Sequence, residues 1–495
     1  MDTADDLIER MIAEPYGRAS PSVYETGRLV SLAPGLPGHA ARLRYLLDEQ
    51  RPDALWGGPG GYALVPSLSA VEALLTVVRE QGVGTAPLLR AVIRGLHAVA
   101  DLLARHPVAG LPDTAAVELI VPALAEAIER HMHALRKEPV DGLDPVALPA
   151  DVDASALDRV RRRLVAGAAP PHALLYTLEA LGEATAPVVN SLAPVDRIMC
   201  ASPAAMAAWL RVRHDPGMRK RLEAVATAGP VPSAISIPVF ERSWVVAWLL
   251  GAGAPVSPPD GLAQALELEA TLGPAGTPAG EGLPLDGDVT SAALHTLALL
   301  ERPQALDALR RFETPTHFCC YPGERTPSAT VNAHVLEALS SSSAQGPWRE
   351  AAAGKVTGWL AGRQHRDGHW EDKWHASSYY ATACCALALH RYGGTRGRAA
   401  VERATEWVTS TQRADGGWGR WESTAEETSY AVRILLSTGR PRGDAPRRGA
   451  AFLQATDGLP RRPLWHAKDL YTPGTVVDSS VLAALHLADE AERAQ

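Results

Sequence analysis

Apolar side chains recur at steps of three and four residues along most of this chain. The pattern is clearest in SAVEALLTVVREQ, VELIVPALAEAIERHMHAL, TSAALHTLALL and TVNAHVLEALS. This period is that of the buried face of an α-helix. Glycine and proline fall between these stretches, where they mark loops. Because the alternating β-branched runs typical of strands are nearly absent, the sequence predicts an all-α protein of stacked helical hairpins.

A short frame, Q-x-x-D-x-x-W, occurs three times, at residues 50–56, 364–370 and 412–418. Such a repeat predicts a structural unit, in which the glutamine and the tryptophan tie one helix end to the next through hydrogen bonds and indole packing. Since the first copy lies far from the other two along the chain, we expect each half of the chain to build its own helical barrel.

Charge and composition exclude several classes of partner. The chain carries 48 basic and 56 acidic residues, a net charge of −8, which argues against nucleic-acid binding. The N-terminal MDTADDLIER lacks the basic start of a signal peptide, and we expect no transmembrane segment and a cytoplasmic protein. The five cysteines include two adjacent pairs, a spacing that favours reduced, buried thiols over disulfides or zinc ligands. No heptad pattern indicates a large assembly, and the oligomeric state stays open.

Eight stretches, taken in order, resemble the bacterial class II diterpene cyclases of the α/α-barrel terpene cyclase superfamily, and a similar order occurs in plant copalyl diphosphate synthases. The stretches are SPSVYETG (20–27), VELIVPAL (117–124), SPAAMAAWL (202–210), LPLDGDVTSAAL (283–294), YPGERTPSATVNAHVLEAL (321–339), DGHWEDKWHASSYYATACCALAL (367–389), GGWGRWESTAEETSYAV (416–432) and PLWHAKDLYTP (463–473).

The resemblance implies two α/α-barrel domains, called β and γ, with the catalytic cavity between them. We expect residues 1–30 to form the first helix of the β domain, residues 31–250 the inserted γ domain, and residues 251–495 the rest of the β domain with the catalytic acid. It also implies cyclisation that begins when a carboxylic acid protonates the terminal alkene of a prenyl diphosphate, with the diphosphate retained.

The acid implied by the resemblance is Asp288, in the stretch Asp286-Gly287-Asp288-Val289. Asp286 would supply a neighbouring carboxylate. In a water-poor pocket beside a like charge the ionised form of a carboxyl is disfavoured, which keeps a proton available. Val289 departs from the family pattern, which has an aspartate there. The lost carboxylate removes a charge that favours the neutral form of Asp288, whereas the apolar side chain adds desolvation that favours it, so the two effects partly offset each other. Without the resemblance, two acids before a helix would be read as its N-cap and first-turn residues.

Asn332, in TVNAHV, matches the family asparagine that hydrogen-bonds the acid and orients its proton. The alternative is a core asparagine that satisfies its own amide. His334 lies two positions further on, on a different helix face, and is expected to be structural.

The diphosphate implies a cation and Mg²⁺ with oxygen ligands. Lys468, in WHAKDLY, matches a family lysine implicated in holding the diphosphate; the alternative is a solvent-facing lysine. Glu118, in VELIVPAL, matches a family glutamate near the diphosphate and magnesium, although the acid-rich stretch that precedes it in the plant enzymes is missing here.

A carbocation also needs aromatic walls that exclude water. The chain has twelve Trp and eleven Tyr but four Phe. We expect Trp374, Tyr379, Tyr380 and Trp421 to line the cavity, with barrel packing as the alternative for each. No sequence feature assigns the base that removes the final proton.

The resemblance therefore predicts a class II terpene cyclase that converts geranylgeranyl or farnesyl diphosphate to a bicyclic prenyl diphosphate. Two alternatives stay open. One is a squalene-type triterpene cyclase, which is disfavoured because such enzymes are longer and carry more of these repeats. The other is a non-catalytic isoprenoid-binding α/α-barrel, which Val289 alone supports. A zinc-dependent protein prenyltransferase subunit is disfavoured because a clear Asp/Cys/His ligand set is lacking.

Overall fold

The computed structural model describes residues 3–14, 16–81, 86–105, 111–137, 153–191, 201–256, 261–270, 272–342, 346–439 and 443–494. Helices dominate these residues, and the strands form two short two-stranded sheets, β1–β2 and β3–β4. The all-α prediction is therefore confirmed.

Contacts within the chain divide it into two compact units. Unit 1 contains Met1–Arg18, Ser236–Trp465 and Thr472–Gln495, and unit 2 contains Ala19–Ile235 and His466–Tyr471. An insertion near the N-terminus was expected, but its boundaries lie elsewhere than after residues 30 and 250. The second helix, Val23–Leu32, belongs to unit 2. The short segment His466–Tyr471 also belongs to unit 2, although it lies within the range expected for the β domain.

Unit 2 contains helices α2 to α10 and two 3₁₀ segments. They are α2 (Val23–Leu32), α3 (His39–Asp48), Gly60–Ala63, α4 (Leu64–Gln81), α5 (Ala86–Arg105), α6 (Val117–Lys137), α7 (Ser155–Val165), His172–Ala184, α8 (Thr185–Ser191), α9 (Pro203–Leu210) and α10 (Pro216–Ala226).

Helix α4 is the centre of unit 2, where α2, α5 and α6 pack against it. The stretch Gly60–Glu80 is long and apolar enough to cross a membrane by length and composition, with 83% of its most apolar window buried in the protein. No transmembrane segment was expected, and the sequence analysis did not single out this stretch. Its burial is that of a core helix, because the neighbouring helices cover it on all sides.

Unit 1 contains α1, the helices from α11 onwards, and β1 and β2. They are α1 (Ala4–Ala13), α11 (Pro238–Gly251), α12 (Leu262–Ala270), β1 (Thr277–Pro278), β2 (Leu285–Asp286), α13 (Gly287–Leu299), the 3₁₀ segment Asp307–Phe312, α14 (Ala329–Ser341), α15 (Pro347–Arg363), α16 (Ser378–Tyr392), α17 (Gly394–Ser410), α18 (Ala425–Ser437), α19 (Ala445–Ala455) and α20 (Gly474–Arg493); the short strands β3 (Trp465–His466) and β4 (Leu470–Tyr471) lie at the junction with the segment of unit 2.

Six helices of unit 1 form a closed ring, in which α11, α13, α14, α16, α18 and α20 each pack against the next and α20 packs against α11. The remaining helices α1, α12, α15, α17 and α19 pack outside this ring. This is an α/α barrel, as expected. Four cysteines of the described chain lie in this unit, and they are buried and free, as the sequence predicts.

The three Q-x-x-D-x-x-W repeats make the same hydrogen bonds. The glutamine amide of each copy donates to the carbonyl four residues later and to a carbonyl in a later helix: Ala91 O for Gln50, Ala400 O for Gln364 and Ala445 O for Gln412. These six bonds are 2.7–3.0 Å long. The indole N–H of each tryptophan donates to a carbonyl ten residues earlier: Leu46 O for Trp56, Leu360 O for Trp370 and Val408 O for Trp418. The predicted structural role of the repeat is confirmed.

Candidate active site

The start of α13 carries the two predicted acids, and its backbone is tightly fixed. Asp286 is the N-cap, and its Oδ1 accepts a hydrogen bond from Val289 N at 2.6 Å. A side chain at Gly287 would place a Cβ 2.4 Å from Cys319 O, so only glycine fits this close approach. The alternative role for Asp286, helix capping, is therefore present in addition to its place beside Asp288.

Asp288 projects from the first turn of α13 to His334 on the neighbouring ring helix α14. His334 Nδ1 lies 2.6 Å from Asp288 Oδ1, and the two side chains are 6% and 11% exposed. Burial alone would lower the pKa of His334, but the Asp288 carboxylate raises it well above its ordinary value. The ring of His334 is therefore held at hydrogen-bond distance from Asp288 Oδ1.

Asp286 differs from Asp288 in its surroundings. Burial, and then the neighbouring charge of Asp288, raise the pKa of Asp286 well above its ordinary value, while the Val289 N–H opposes them. Two carboxyl groups thus share a site in which Asp286 accepts from a backbone N–H and has a raised pKa, whereas Asp288 faces the ring of His334. This is the arrangement that separates the roles of paired acids.

Asn332 does not contact the acid, so the hydrogen bond predicted between Asn332 and Asp288 is wrong. Its Oδ1 accepts from Phe318 N at 2.9 Å, and its Nδ2 donates to Phe318 O and Ser328 O. The amide is therefore used to hold the loop before α14, as the alternative reading held.

His334 lies beside Asp288, although the sequence favoured a structural role for it. Residues two apart on a helix point to different faces, and Asn332 was given the face toward the acid. All sides of α14 near this point are buried, so hydrophobic periodicity could not tell which face meets α13. The signal was a titratable ring in an otherwise apolar helix, because such a ring needs a polar partner.

Tyr380 is the predicted aromatic residue that is linked to His334 through Trp244. Its hydroxyl accepts a hydrogen bond from Trp244 Nε1 at 3.0 Å, and the Trp244 ring meets His334 edge-on with centroids 4.9 Å apart. Tyr380 also packs against Trp465 at 4.6 Å and Tyr430 at 5.6 Å. These π faces form an aromatic wall that contacts His334 through Trp244, and such faces are able to stabilise a positive charge.

The other three predicted aromatic residues lie in different surroundings. Tyr379 packs on Trp407 at 4.6 Å, which fits barrel packing. Trp374 meets Tyr321 edge-on at 6.1 Å, and its indole N–H has no hydrogen-bond partner among the residues that the structure describes. Trp421 lies between the guanidinium groups of two arginines, Arg420 and Arg462, at 5.4 and 5.8 Å. Because these cations occupy its faces, Trp421 is poorly placed to stabilise a carbocation.

Glu426, which the sequence did not single out, lies beneath the same aromatic wall. Its Oε1 accepts hydrogen bonds from Trp465 Nε1 at 2.7 Å and from the Tyr430 hydroxyl at 3.0 Å, and His375 Nε2 lies 3.0 Å away. Oε2 of the same carboxyl is buried without a hydrogen-bond partner among the described residues. The carboxyl group of Glu426 therefore holds the rings of Trp465 and Tyr430 in their orientation.

Lys468 lies in unit 2, where it is 1% exposed. Its Nζ lies 2.9 Å from Glu25 Oε1 and donates to Glu179 Oε1 at 2.6 Å and to Ser202 Oγ at 2.7 Å. The Tyr176 ring lies 4.5 Å from the ammonium. The three N–H donors of Lys468 are thus directed to protein acceptors, and none is left for a diphosphate, contrary to the predicted role.

This cluster joins three of the stretches on which the resemblance rests. Glu25 comes from SPSVYETG, Ser202 from SPAAMAAWL and Lys468 from PLWHAKDLYTP. Glu25 Oε2 accepts from Ala204 N at 2.7 Å at the start of α9, and Asp469 accepts from Tyr24 N at 3.0 Å at the start of α2. The segment His466–Tyr471 is therefore bound into unit 2 through ion pairs and helix caps.

Glu25 predicts a pH dependence of stability. Burial raises its pKa from 4.5 to about 7, although the Lys468 ammonium opposes this. Since the folded pKa lies above the unfolded one, the contribution of Glu25 is fully present below pH 4.5 and is lost as the pH rises through about 7. Chemical denaturation at several pH values should show that wild type loses stability across this window relative to Glu25→Gln. The exposed Glu183→Gln serves as control, and parallel wild-type and Glu25→Gln curves would contradict the assignment.

Glu118 lies half-buried in the first turn of α6. Ala115 N donates to Ala467 O at 2.9 Å, so the chain just before α6 runs beside the segment that carries Lys468. Within the described residues, a group of three His, Cys, Asp or Glu side chains with clustered ligand atoms occurs elsewhere, not at Glu118. Mg²⁺ commonly binds through one or two carboxylates together with substrate phosphates, so a lone carboxyl fits this ion when the substrate supplies further oxygens.

Two larger cavities accompany these clusters, in addition to one of about 10 Å³ that borders Lys468 and Asp469. The one in unit 1 has a volume of about 30 Å³ and is lined by His334, Trp244, Cys384 and other side chains, so it has room for water only. The one in unit 2 has about 700 Å³ and is lined by Arg28, Glu179 and other mixed polar and apolar side chains. Asp288 lines neither, so neither of them by itself brings a prenyl chain to the proton donor.

Comparison with known proteins places the chain. Residues 325–475 match the squalene-hopene cyclase C-terminal domain family. The chain is 44% identical over 500 residues to an ent-copalyl diphosphate synthase of Streptomyces sp. (strain KO-3988), which covers 97% of this chain and 95% of the relative. It is 39% identical over 513 residues to a labda-7,13-dienyl diphosphate synthase of Streptomyces clavuligerus, with 99% and 93% covered.

A solved structure agrees with these relatives. The ent-copalyl diphosphate synthase from Streptomyces platensis matches with a TM-score of 0.90 and 41% identity, covering 98% of this chain and 99% of that one. The similarity thus extends through both units, and the resemblance seen in the sequence is confirmed. This chain has acidic residues at the start of the ring helix α13. Its full-length relatives of this identity show that it belongs to the bacterial class II diterpene cyclases.

Proposed function

We propose that this enzyme cyclises geranylgeranyl diphosphate to a bicyclic, copalyl-type diphosphate with the diphosphate retained. The observation that carries the proposal is the buried pair of Asp288 and His334 at 2.6 Å. The names of the relatives, copalyl and labdadienyl diphosphate synthases, support a C20 substrate.

In this proposal Asp288 donates its carboxyl proton to the terminal alkene. The π electrons of that alkene form the new C–H bond, and internal alkenes then attack in turn to close two rings. Asp288 is left as a carboxylate beside the cationic His334, which lowers the energy of this product and so makes Asp288 a stronger acid. Asp286 stays neutral and does not compete for that cation. Loss of one proton from the bicyclic cation restores an alkene, and the C–O bond to the diphosphate is not broken.

The aromatic wall of Trp244, Tyr380 and Trp465 would face the positive charge as it moves through the substrate. Mg²⁺, if bound with the diphosphate, supplies charge neutralisation, and Glu118 is the described residue that we propose to hold it. The cytoplasm is the proposed compartment, because the substrate class is a soluble diphosphate and the apolar stretch Gly60–Glu80 is buried in the protein.

The proposal is tested by incubating the purified protein with Mg²⁺ and, separately, geranylgeranyl and farnesyl diphosphate. The products are treated with phosphatase and identified by mass spectrometry. A bicyclic C20 alcohol that is released only after phosphatase treatment is the expected result. A cyclised C15 alcohol alone would overturn the C20 assignment, and linear alcohols from both substrates would favour a binding role.

His334 is predicted to act by positioning and charge. His334→Ala should lower kcat by about 10²-fold, as expected when one group that stabilises developing charge is lost, with a smaller change in KM. His334→Asn restores a hydrogen-bond donor but no cation and should recover only part of the rate. Steady-state kinetics of both variants across pH measures this, since a merely structural histidine would not alter the pH profile. The exposed His390→Ala is the matched control, and an unchanged kcat in His334→Ala would refute the role.

A further inference from the structure

The three repeats differ at the residue that follows the glutamine. In the first copy this is Arg51, whose Nη1 donates to Gly57 O at 2.9 Å and to Gly58 O at 2.6 Å. In the third copy it is Arg413, whose Nη2 donates to Gly419 O at 2.8 Å. In both copies an arginine therefore ties the start of the repeat to the backbone just after its tryptophan.

The middle copy has no arginine at this position. His365 stands there, and Glu371 occupies the place that Gly57 and Gly419 have in the other copies. His365 Nε2 lies 3.8 Å from Glu371 Oε2, and His369 Nε2 lies 3.9 Å from Glu371 Oε1. One ligand atom from each of the three residues lies within 4.8 Å of the other two. The residues that replace the arginine tie are thus two stacked imidazoles and one carboxylate whose ligand atoms lie close together.

The backbone that carries these side chains is held in place by the repeat itself. His365 N donates to His369 O at 2.9 Å, and Gly368 N donates to His365 O at 3.0 Å. Gly368 has φ +110°, and a Cβ there would lie 2.3 Å from Arg403 O, so the turn requires glycine. The ligand positions are therefore fixed by a turn that the rest of the barrel enforces.

His369 is also oriented. Its Nδ1 lies 2.7 Å from Asp367 Oδ1, and its ring packs against Trp407 with centroids 5.2 Å apart. A carboxylate on one ring nitrogen leaves the other nitrogen directed outward and is the partner that metal-binding histidines commonly have. His369 is 15% exposed, whereas His365 and Glu371 are 48% and 65% exposed, so an ion can enter from solvent.

We propose that His365, His369 and Glu371 bind one divalent transition-metal ion of the Zn²⁺ class, which closes in the middle repeat the loop that an arginine closes in the other two. Zinc–ligand bonds of about 2.0–2.2 Å place neighbouring ligand atoms about 3.3 Å apart in a tetrahedron. The rings of His365 and His369 are stacked with their centroids 4.3 Å apart. His365, which is 48% exposed, therefore has to rotate out of this stack to bind an ion beside His369, whose ring keeps its contact with Asp367. Two imidazoles suit zinc, nickel or copper, whereas Mg²⁺ prefers oxygen ligands.

The chain offers a matched variant for the test, because His365→Arg installs the residue that the other two repeats carry. Untagged full-length wild type and His365→Arg are titrated with Zn²⁺ in calorimetry, and their melting temperatures are compared with Zn²⁺, with Mg²⁺ and with chelator. Wild type should bind one equivalent more Zn²⁺ than His365→Arg and gain melting temperature with Zn²⁺ but not with Mg²⁺. His390→Ala should behave as wild type.

Two further variants keep the proposal falsifiable if His365→Arg folds poorly. Glu371→Gln should lose the same equivalent of Zn²⁺, and Asp367→Asn should weaken its binding by about tenfold or more through loss of the group that orients His369. Equal Zn²⁺ stoichiometry and affinity in wild type and Glu371→Gln would overturn the site. These readouts do not depend on cyclase activity, so they stand apart from the proposed function.

Discussion

Asp288→Asn should abolish cyclisation, with a fall in rate of at least about 10³-fold, while the protein still folds and binds its substrate. General acid catalysis commonly contributes 10²–10⁴-fold, and here the proton starts the whole reaction. Asparagine keeps the shape of the side chain and a contact to His334 but has no acidic proton. The measurement is product formation by mass spectrometry after phosphatase treatment, with a melting curve to confirm folding.

Two other aspartate variants in the same unit serve as controls for Asp288→Asn. Asp286→Asn should cost less activity than Asp288→Asn, because asparagine remains a good N-cap for α13 and Asp286 is already held neutral. Asp307→Asn, at an exposed acid, should leave the rate unchanged. If Asp288→Asn kept more than a tenth of the wild-type rate, Asp288 would not be the proton donor.

Lys468→Met should destabilise the protein by about 3–5 kcal/mol, the usual cost of breaking a buried ion pair by removing one partner. The loss leaves Glu25 and Glu179 without their cation in a fully buried cluster. Urea denaturation monitored by circular dichroism measures this. Glu25→Gln in the Lys468→Met background should restore part of the stability, because the two residues are in direct contact.

The same variant separates two roles for Lys468. The exposed Lys137→Met provides a matched control and should leave stability unchanged. A diphosphate ligand would show normal stability in Lys468→Met together with a raised KM for the substrate. That outcome would contradict the structural role and reinstate the role that the family resemblance implies.

Much of the fold could be predicted from the sequence, since helix period and repeat are local properties. The Q-x-x-D-x-x-W frame predicted hydrogen bonds that all three copies make. The family resemblance predicted Asp288 as the acid, and the close approach at Gly287 explains why this short motif contains a glycine. The unit boundaries were less accessible, because α2 and α11 are both apolar helices and nothing local shows against which core each one packs.

The partners of buried polar groups could not be predicted in the same way. Asn332 and His334 lie on one helix that is buried all around, and which of them meets Asp288 depends on how α13 and α14 are rotated against each other. For Lys468, the partners Glu25 and Glu179 are hundreds of residues away along the chain. A lysine in a short loop gives no local sign that two distant carboxyl groups surround it.

Because His466–Tyr471 belongs to unit 2, this unit cannot complete its folding until nearly the whole chain has been synthesised. A ribosome makes residues 19–235 long before it reaches Lys468, and until then Glu25 and Glu179 have no ammonium between them. The backbone N–H of Tyr24 at the start of α2 likewise lacks its acceptor until Asp469 has been synthesised. Most of unit 2 is thus translated early, but its last segment, His466–Tyr471, is translated near the end of synthesis. A fragment of residues 19–235 would be contiguous and nearly complete, yet it would lack the charge that its own interior requires.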